Sequence, residues 1–188
     1  MVARLVLLTA AVLLLGGCGG KDDEGPASTT ETGTTAIPLE GASTESAVGT
    51  SEITATALLT DVRSARQEGY DRVVFEFSNG VPGYEVGYVE RPVVSDGSGE
   101  EVAVEGVAVL RIRMEPALDA DLTQESAPRT YTGPTRFSPD TAVIDELVST
   151  GGFEAVLTWA AGIDAKRPFR VTTLAGPPRI VIDVDASP

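Results

Sequence analysis

The chain has 188 residues, 14 basic against 28 acidic side chains, a formal net charge of −14, and no histidine. Such an acidic surface is a poor partner for nucleic acid. The missing imidazole removes Ser-His-Asp triads, Cys-His pairs and histidine zinc sites together, and a single cysteine, Cys18, leaves no disulfide to form within one chain.

In chain order the first element is the leader. MVAR carries a positive charge at Arg4 and is followed by the apolar stretch LVLLTAAVLLL, Leu5 to Leu15. These are the n-region and h-region of a secretion signal, and 11 residues fall well short of the roughly 20 that cross a bilayer core as a helix. Leu15-Gly16-Gly17-Cys18 then resembles a bacterial lipobox. Residues 1–17 are expected to be a lipoprotein signal peptide and Cys18 the lipidated first residue of the mature chain. Two or three acyl chains, at about 0.8 kcal/mol per buried methylene, hold a protein stably on a membrane. The alternative is an ordinary signal peptide with an incidental cysteine.

Residues 19–52 contain 11 Ser or Thr with Gly, Pro and acidic residues between them. A stretch so poor in apolar side chains does not offset its ordering entropy, so residues 18–52 read as the lipidated cysteine and a disordered tether spanning on the order of 30 Å. Residues 53–188 are enough for one domain. It carries 12 basic and 21 acidic residues, a formal charge of −9.

That domain reads as strands. In YDRVVFEF (70–77), Val73, Phe75 and Phe77 alternate with Arg72 and Glu76. In VAVLRIRME (107–115), Leu110, Ile112 and Met114 alternate with Arg111, Arg113 and Glu115; in RIVIDVD (179–185), Ile180, Ile182 and Val184 alternate with Arg179, Val181, Asp183 and Asp185. A period of two is the strand signature. Further strands are expected in 53–63, 84–90, 101–105, 153–162 and 169–174. Turn signals lie between them at Ser78-Asn79-Gly80, Asp96-Gly97-Ser98-Gly99, Gly151-Gly152 and Gly176-Pro177-Pro178, and Gly106 suits a bulge or tight connection. The expected fold class is all-β, a single β-sandwich or barrel. One segment is ambiguous. Ser138 and Pro139 would begin a helix over SPDTAVIDELVSTGG, whereas Ala142–Ser149 as a strand would hairpin through Gly151-Gly152 into FEAVLTW; the β-branched content favours the hairpin.

Chemistry is scarce. The mature chain has two lysines, Lys21 and Lys166, and no serine stands near Lys166 in a dyad motif. DGSGEE (96–101) lacks the ligand spacing of an EF-hand and reads as an acidic turn, and no phosphate-binding glycine loop is present. No cofactor, metal or catalytic residue is expected. Trp159, sharing a strand face with Phe153, Ala155 and Leu157, reads as core. The candidate ligand-binding residues are Tyr84 and Tyr88, four apart and hence on one strand face, with Arg91 next along, and Tyr131 and Arg136 in the loop-like YTGPTRF. Exposed tyrosines can stack on sugars or peptides; partly buried tyrosines with wet hydroxyls are the commoner case.

Three separated blocks resemble a known family: GYDRVVFEFSNGVPGYEVGYVERPV; VEGVAVLRIRMEPA with YTGP; and GGFEAVLTWAAGIDAKRPFRVTTLAGPPRIVIDV. Over nearly all of residues 57 to 185 they are similar to the AMIN-like domain of bacterial lipoproteins. The resemblance implies a β-sandwich module related to AMIN domains, which accompany cell-wall amidases and secretins and place them in the envelope, in some cases by binding peptidoglycan. It implies no catalytic residue. The expected function is therefore a noncatalytic, lipid-anchored, extracytoplasmic module that binds peptidoglycan or another wall glycan. The alternative is a protein-interaction module of an envelope complex that pairs a partner with an exposed strand edge. Replacing Cys18 with Ala should release the protein from the membrane fraction, and a variant retained as fully as the wild type would refute lipidation.

Overall fold

The computed structural model describes residues 38–187. Eleven strands, and among the described residues no helix, run in the order β1 (Ala47–Gly49), β2 (Ala57–Arg66), β3 (Tyr70–Ser78), β4 (Gly83–Val89), β5 (Ala108–Glu115), β6 (Ala117–Leu118), β7 (Arg136–Phe137), β8 (Ile144–Phe153), β9 (Val156–Ile163), β10 (Phe169–Ala175) and β11 (Pro178–Asp185). They form two sheets, ordered β1-β4-β5-β9-β8-β7 and β10-β11-β3-β2-β6. Every neighbouring pair is antiparallel except β2 with β6.

The alternation read from the sequence is what packs the sandwich. Val73, Phe75 and Phe77 of β3 and Ile180, Ile182 and Val184 of β11 face Leu110, Ile112 and Met114 of β5 and Leu157 and Trp159 of β9 in one continuous core. Trp159 joins the layers. It is 1% exposed and lies edge-on to Phe75 of the opposite sheet at 5.8 Å between ring centroids and to Tyr131 at 5.9 Å, an arrangement that aligns positive ring edges with negative ring faces.

The ambiguous segment is the long strand β8, not a helix. Its entry is fixed by the fully buried Asp71 of β3, whose Oδ2 accepts the backbone N–H groups of Ala142 and Val143 at 2.8 and 2.7 Å. The hairpin turn, however, is not at Gly151-Gly152. β8 runs through both glycines, and the chain reverses at Glu154-Ala155, which have φ of 51° and 60°, the signs of a two-residue primed turn. Phe153 is consequently 56% exposed and does not share the buried face of Trp159.

The stretch 101–105 is likewise not a strand. Residues 90–107 form a strap that folds back over the outer face of the first sheet, held to itself by Ser95 N–H to Glu100 O at 2.8 Å and Val102 N–H to Val93 O at 2.8 Å. Val93 and Val104 of the strap and Val109 and Ala160 of the sheet make a second, small core there. The strap is pinned at several points. The Thr158 hydroxyl donates to Asp96, Asp96 N–H donates to Thr150 O at 3.1 Å, and Glu105 N–H donates to the Glu146 carboxylate at 3.0 Å. The 96–101 turn is exposed along its length, as the acidic sequence suggests, and Asp96 at its start fastens it to the sheet. Close approach is possible because Gly162 has no side chain: a Cβ there would stand 2.8 Å from the Glu105 carbonyl carbon and closer still to its oxygen. Gly106 makes the tight connection at φ 93°, with Ile163 N 2.6 Å from where its Cβ would be; few residues other than glycine adopt that φ.

Residues 38–52, expected as the C-terminal end of the tether, lie on the domain because their backbone finds partners on both sheets. Leu39 N–H donates to Asp185 Oδ2 at 3.0 Å, Ser43 exchanges backbone hydrogen bonds with Phe169 of β10 at 3.0 and 2.8 Å, and β1 pairs with β4. Burial pushes the Asp185 carboxyl up, but the amides of Leu39 and Ser187 outweigh it and hold it below its ordinary value. The leader, Cys18 and the remainder of the tether lie outside the described residues.

Because Gly162 lies directly under the strap, Gly162→Ala should destabilise the domain by about 1–3 kcal/mol through overpacking. Urea denaturation of the variant measures this, and an unchanged midpoint would mean that the strap is not seated on the sheet.

Candidate functional site

The five candidate residues are dispersed. Tyr131 is 3% exposed and belongs to the core; its ring meets Trp159 and its hydroxyl donates to Pro134 O at 2.8 Å. Arg136 clips the strap to the sheet: Nη1 pairs with the buried Glu146 at 2.6 Å and Nη2 donates to Ala103 O at 2.9 Å. Tyr84 and Tyr88 do share a face, but with Val86 between them it is the inner face of the edge-proximal strand β4, and both rings pack against the core. They stand at opposite ends of the strand. Tyr84 lines one surface depression of about 400 Å³, where Arg113 is already paired with Glu115 at 2.6 Å.

Tyr88 and Arg91 are brought together. Tyr88, Val89, Glu90, Arg91, Val107 and Lys166 line a separate open depression of about 350 Å³. It forms where the two ends of the strap meet the β9–β10 connection. The Tyr88 hydroxyl donates to Arg167 O at 2.6 Å and accepts Arg167 N–H at 2.9 Å, and the ring lies edge-on to Phe169 at 5.8 Å. Burial lifts the phenol above its ordinary value of about 10, with the Arg167 backbone bond pulling the other way, so the hydroxyl stays protonated at physiological pH. The floor so fixed carries Lys166, whose Nζ stands 5.4 Å from the Tyr88 ring centroid, within cation–π range. Arg91 is steadied across the strap by donating from Nη2 to Gly106 O at 2.9 Å.

Charge singles out this depression. Eight arginines of the described residues stand in ion pairs with carboxylates. Arg66, Arg91, Lys166 and Arg179 are in none of them, and two of these four, Arg91 and Lys166, line the same hollow. Both are exposed. Sequence reasoning weighs Lys166 only as half of a catalytic dyad and passes over Val107 as a site residue, because nothing in local patterning places the 166 turn beside the ends of a strap. The one available signal was that Lys166 is the only lysine after Lys21.

A model of the AMIN-like domain matches residues 57–186. The chain belongs to the AMIN-like family. Neither a curated protein nor a solved structure matches it. AMIN-like domains occur in extracytoplasmic envelope proteins associated with peptidoglycan and are generally noncatalytic binding modules. In this AMIN-like domain the matched region takes in β2 to β11 and the whole depression, while β1 and the segment leading to it precede the match.

Tyr88→Phe should cost about 1–3 kcal/mol of stability, because it strips both hydrogen bonds from the Arg167 backbone. A denaturation midpoint equal to that of the wild type would show that the tyrosine does not hold the 166–167 turn.

Proposed function

We propose that this AMIN-like protein is a noncatalytic cell-envelope module that binds peptidoglycan through the depression between Arg91 and Lys166. One observation carries the proposal: in a domain of net charge −9, two cations outside the ion-pair network meet in one open hollow beside an exposed apolar side chain, Val107 at 78%. Peptidoglycan is decorated with carboxylates, and local positive charge on an otherwise acidic protein attracts them while the rest of the surface repels anions. The lipobox reading of Leu15 to Cys18 supports attachment to the outer side of the cell membrane by lipidated Cys18, with residues 19–37 as spacer. The absence of histidine, and of any dyad motif around Lys166, supports a binding role over a catalytic one. A second reading, an interaction module that pairs a partner protein with a strand edge, is favoured by β10: β11 covers one side of it, Ser43 meets only Phe169 on the other, and Thr172–Ala175 are exposed.

Purified sacculi should retain the full chain in a pulldown. The double variant Arg91→Ala/Lys166→Ala should lose that retention about ten-fold or more, while Arg179→Ala, which removes an unpaired arginine elsewhere, keeps it. Wild-type recovery no better than that of an unrelated acidic protein would refute wall binding, as would undiminished recovery of the double variant for this site.

A further inference from the structure

Peptidoglycan presents two kinds of surface to a binding site. The glycan is neutral and is recognised through its hydroxyl and acetamide groups, by planar hydrogen-bonding side chains and free aromatic faces. The peptide stems carry carboxylates, methyl groups and an amine or amino-carboxylate. The lining of the depression discriminates between them. Glu90, Arg91 and Lys166 are its charged members; Val89, Val107 and Ala108 are aliphatic. No Asn, Gln, Ser, Thr or Trp is among its lining residues. Its one hydroxyl, that of Tyr88, is engaged in both directions by the Arg167 backbone, and its one aromatic ring is met at the edge by Phe169 and approached by the Lys166 ammonium. A sugar ring would find neither a platform nor a fork of amides. A carboxylate would find two cations, one of them with its guanidinium already steadied by Gly106 O, which lowers the ordering entropy of binding.

We infer that the depression is a peptide-carboxylate site: Arg91 and Lys166 take the free carboxylate of a wall stem peptide, the exposed Val107 takes the adjoining methyl or methylene groups, and Glu90 faces the stem amine. This rests on the wall-binding proposal above and narrows it to the peptide component. Arg91 supplies planar donors that suit a carboxylate, and Lys166 supplies a compact point charge. Because the site is open to solvent, its affinity depends on salt.

The test is a titration of the isotope-labelled full chain, followed by NMR, with three probes: the stem tripeptide L-alanyl-γ-D-glutamyl-L-lysine as free acid, its C-terminal carboxamide, and a neutral N-acetylglucosamine oligosaccharide that stands for the glycan. The free acid should shift the signals of Arg91, Val107 and Lys166 saturably. The carboxamide, and the free acid on Lys166→Ala, should bind about ten-fold more weakly. The oligosaccharide should leave those signals in place. The Lys166 side chain is exposed, and an unchanged circular dichroism spectrum establishes that the variant is folded. If the oligosaccharide shifts these residues and the tripeptide does not, the peptide-carboxylate inference is overturned while wall binding stands. If no probe shifts them and the double variant is recovered on sacculi as fully as the wild type, both fall. Equal binding of acid and carboxamide overturns the assignment of the cations to the terminal carboxylate.

Discussion

The carbonyl of Glu105 resting on the bare Cα of Gly162 is the contact on which the functional surface depends. A strap of residues 90–107 lies on the outer face of a sheet only if some sheet residue offers no side chain where the two backbones meet. With that contact made, Val93 and Val104 exclude water against Val109 and Ala160, and the Glu105 N–H and the Ala103 carbonyl meet Glu146 and Arg136. The two ends of the strap then converge beside Tyr88. Arg91 enters the strap and Val107 leaves it, so the hollow that joins them to Lys166 is a product of how the strap is seated. Binding residues on a loop positioned by a rigid scaffold are a general arrangement in β proteins.

Electrostatics sharpen the picture. The domain is strongly acidic, yet most of its arginines are neutralised in place; Arg72 and Arg170, for example, share the single buried carboxylate of Asp183 on the outer face of the second sheet. Other pairs, such as Arg111 with Glu85 and Arg113 with Glu115, are exposed on both sides and contribute little to stability. Their larger effect is on the field around the molecule, because they cancel most of its positive charge and leave, apart from Arg66 and Arg179, only the two cations beside Tyr88 outside ion pairs among the described residues. The repulsive remainder disfavours polyanions in general, and under the proposed wall binding a small local excess of positive charge would favour short, singly charged groups.

What the sequence revealed follows from the range of the physical effects involved. Period-two alternation is local, so β3, β5 and β11 and their inward faces were legible from residues such as Phe75, Ile112 and Ile182. The hairpin of β8 and β9 was legible from β-branched content, but its turn was misplaced, because Gly151 looks like a turn residue when its role is to let the Asp96 backbone come close. Residues 101–105 alternate like a strand, and Val102 and Val104 do turn to the dry side while Glu101, Ala103 and Glu105 are exposed, though against a sheet face and without a ladder. Of the proposed site residues, Tyr88 and Arg91 are neighbours in sequence and were within reach of pattern reasoning. Lys166 was not, since its position over the Tyr88 ring depends on tertiary contacts more than seventy residues apart in the chain, such as those of the Tyr88 hydroxyl with Arg167. Tyr131 and Arg136 were chosen from a polar, glycine-containing stretch that the fold uses for core packing and for clipping the strap.

The ordered segment ahead of β2 joins both layers of the sandwich, touching Asp185 and Phe169 on one sheet before it pairs with β4 on the other. Any mechanical load arriving along the chain from upstream of residue 38 is therefore shared by the two sheets from the start, and no single border strand is peeled away first. Under the proposed anchoring through Cys18, pull from the membrane would reach the domain first at the seam of residues 39–49.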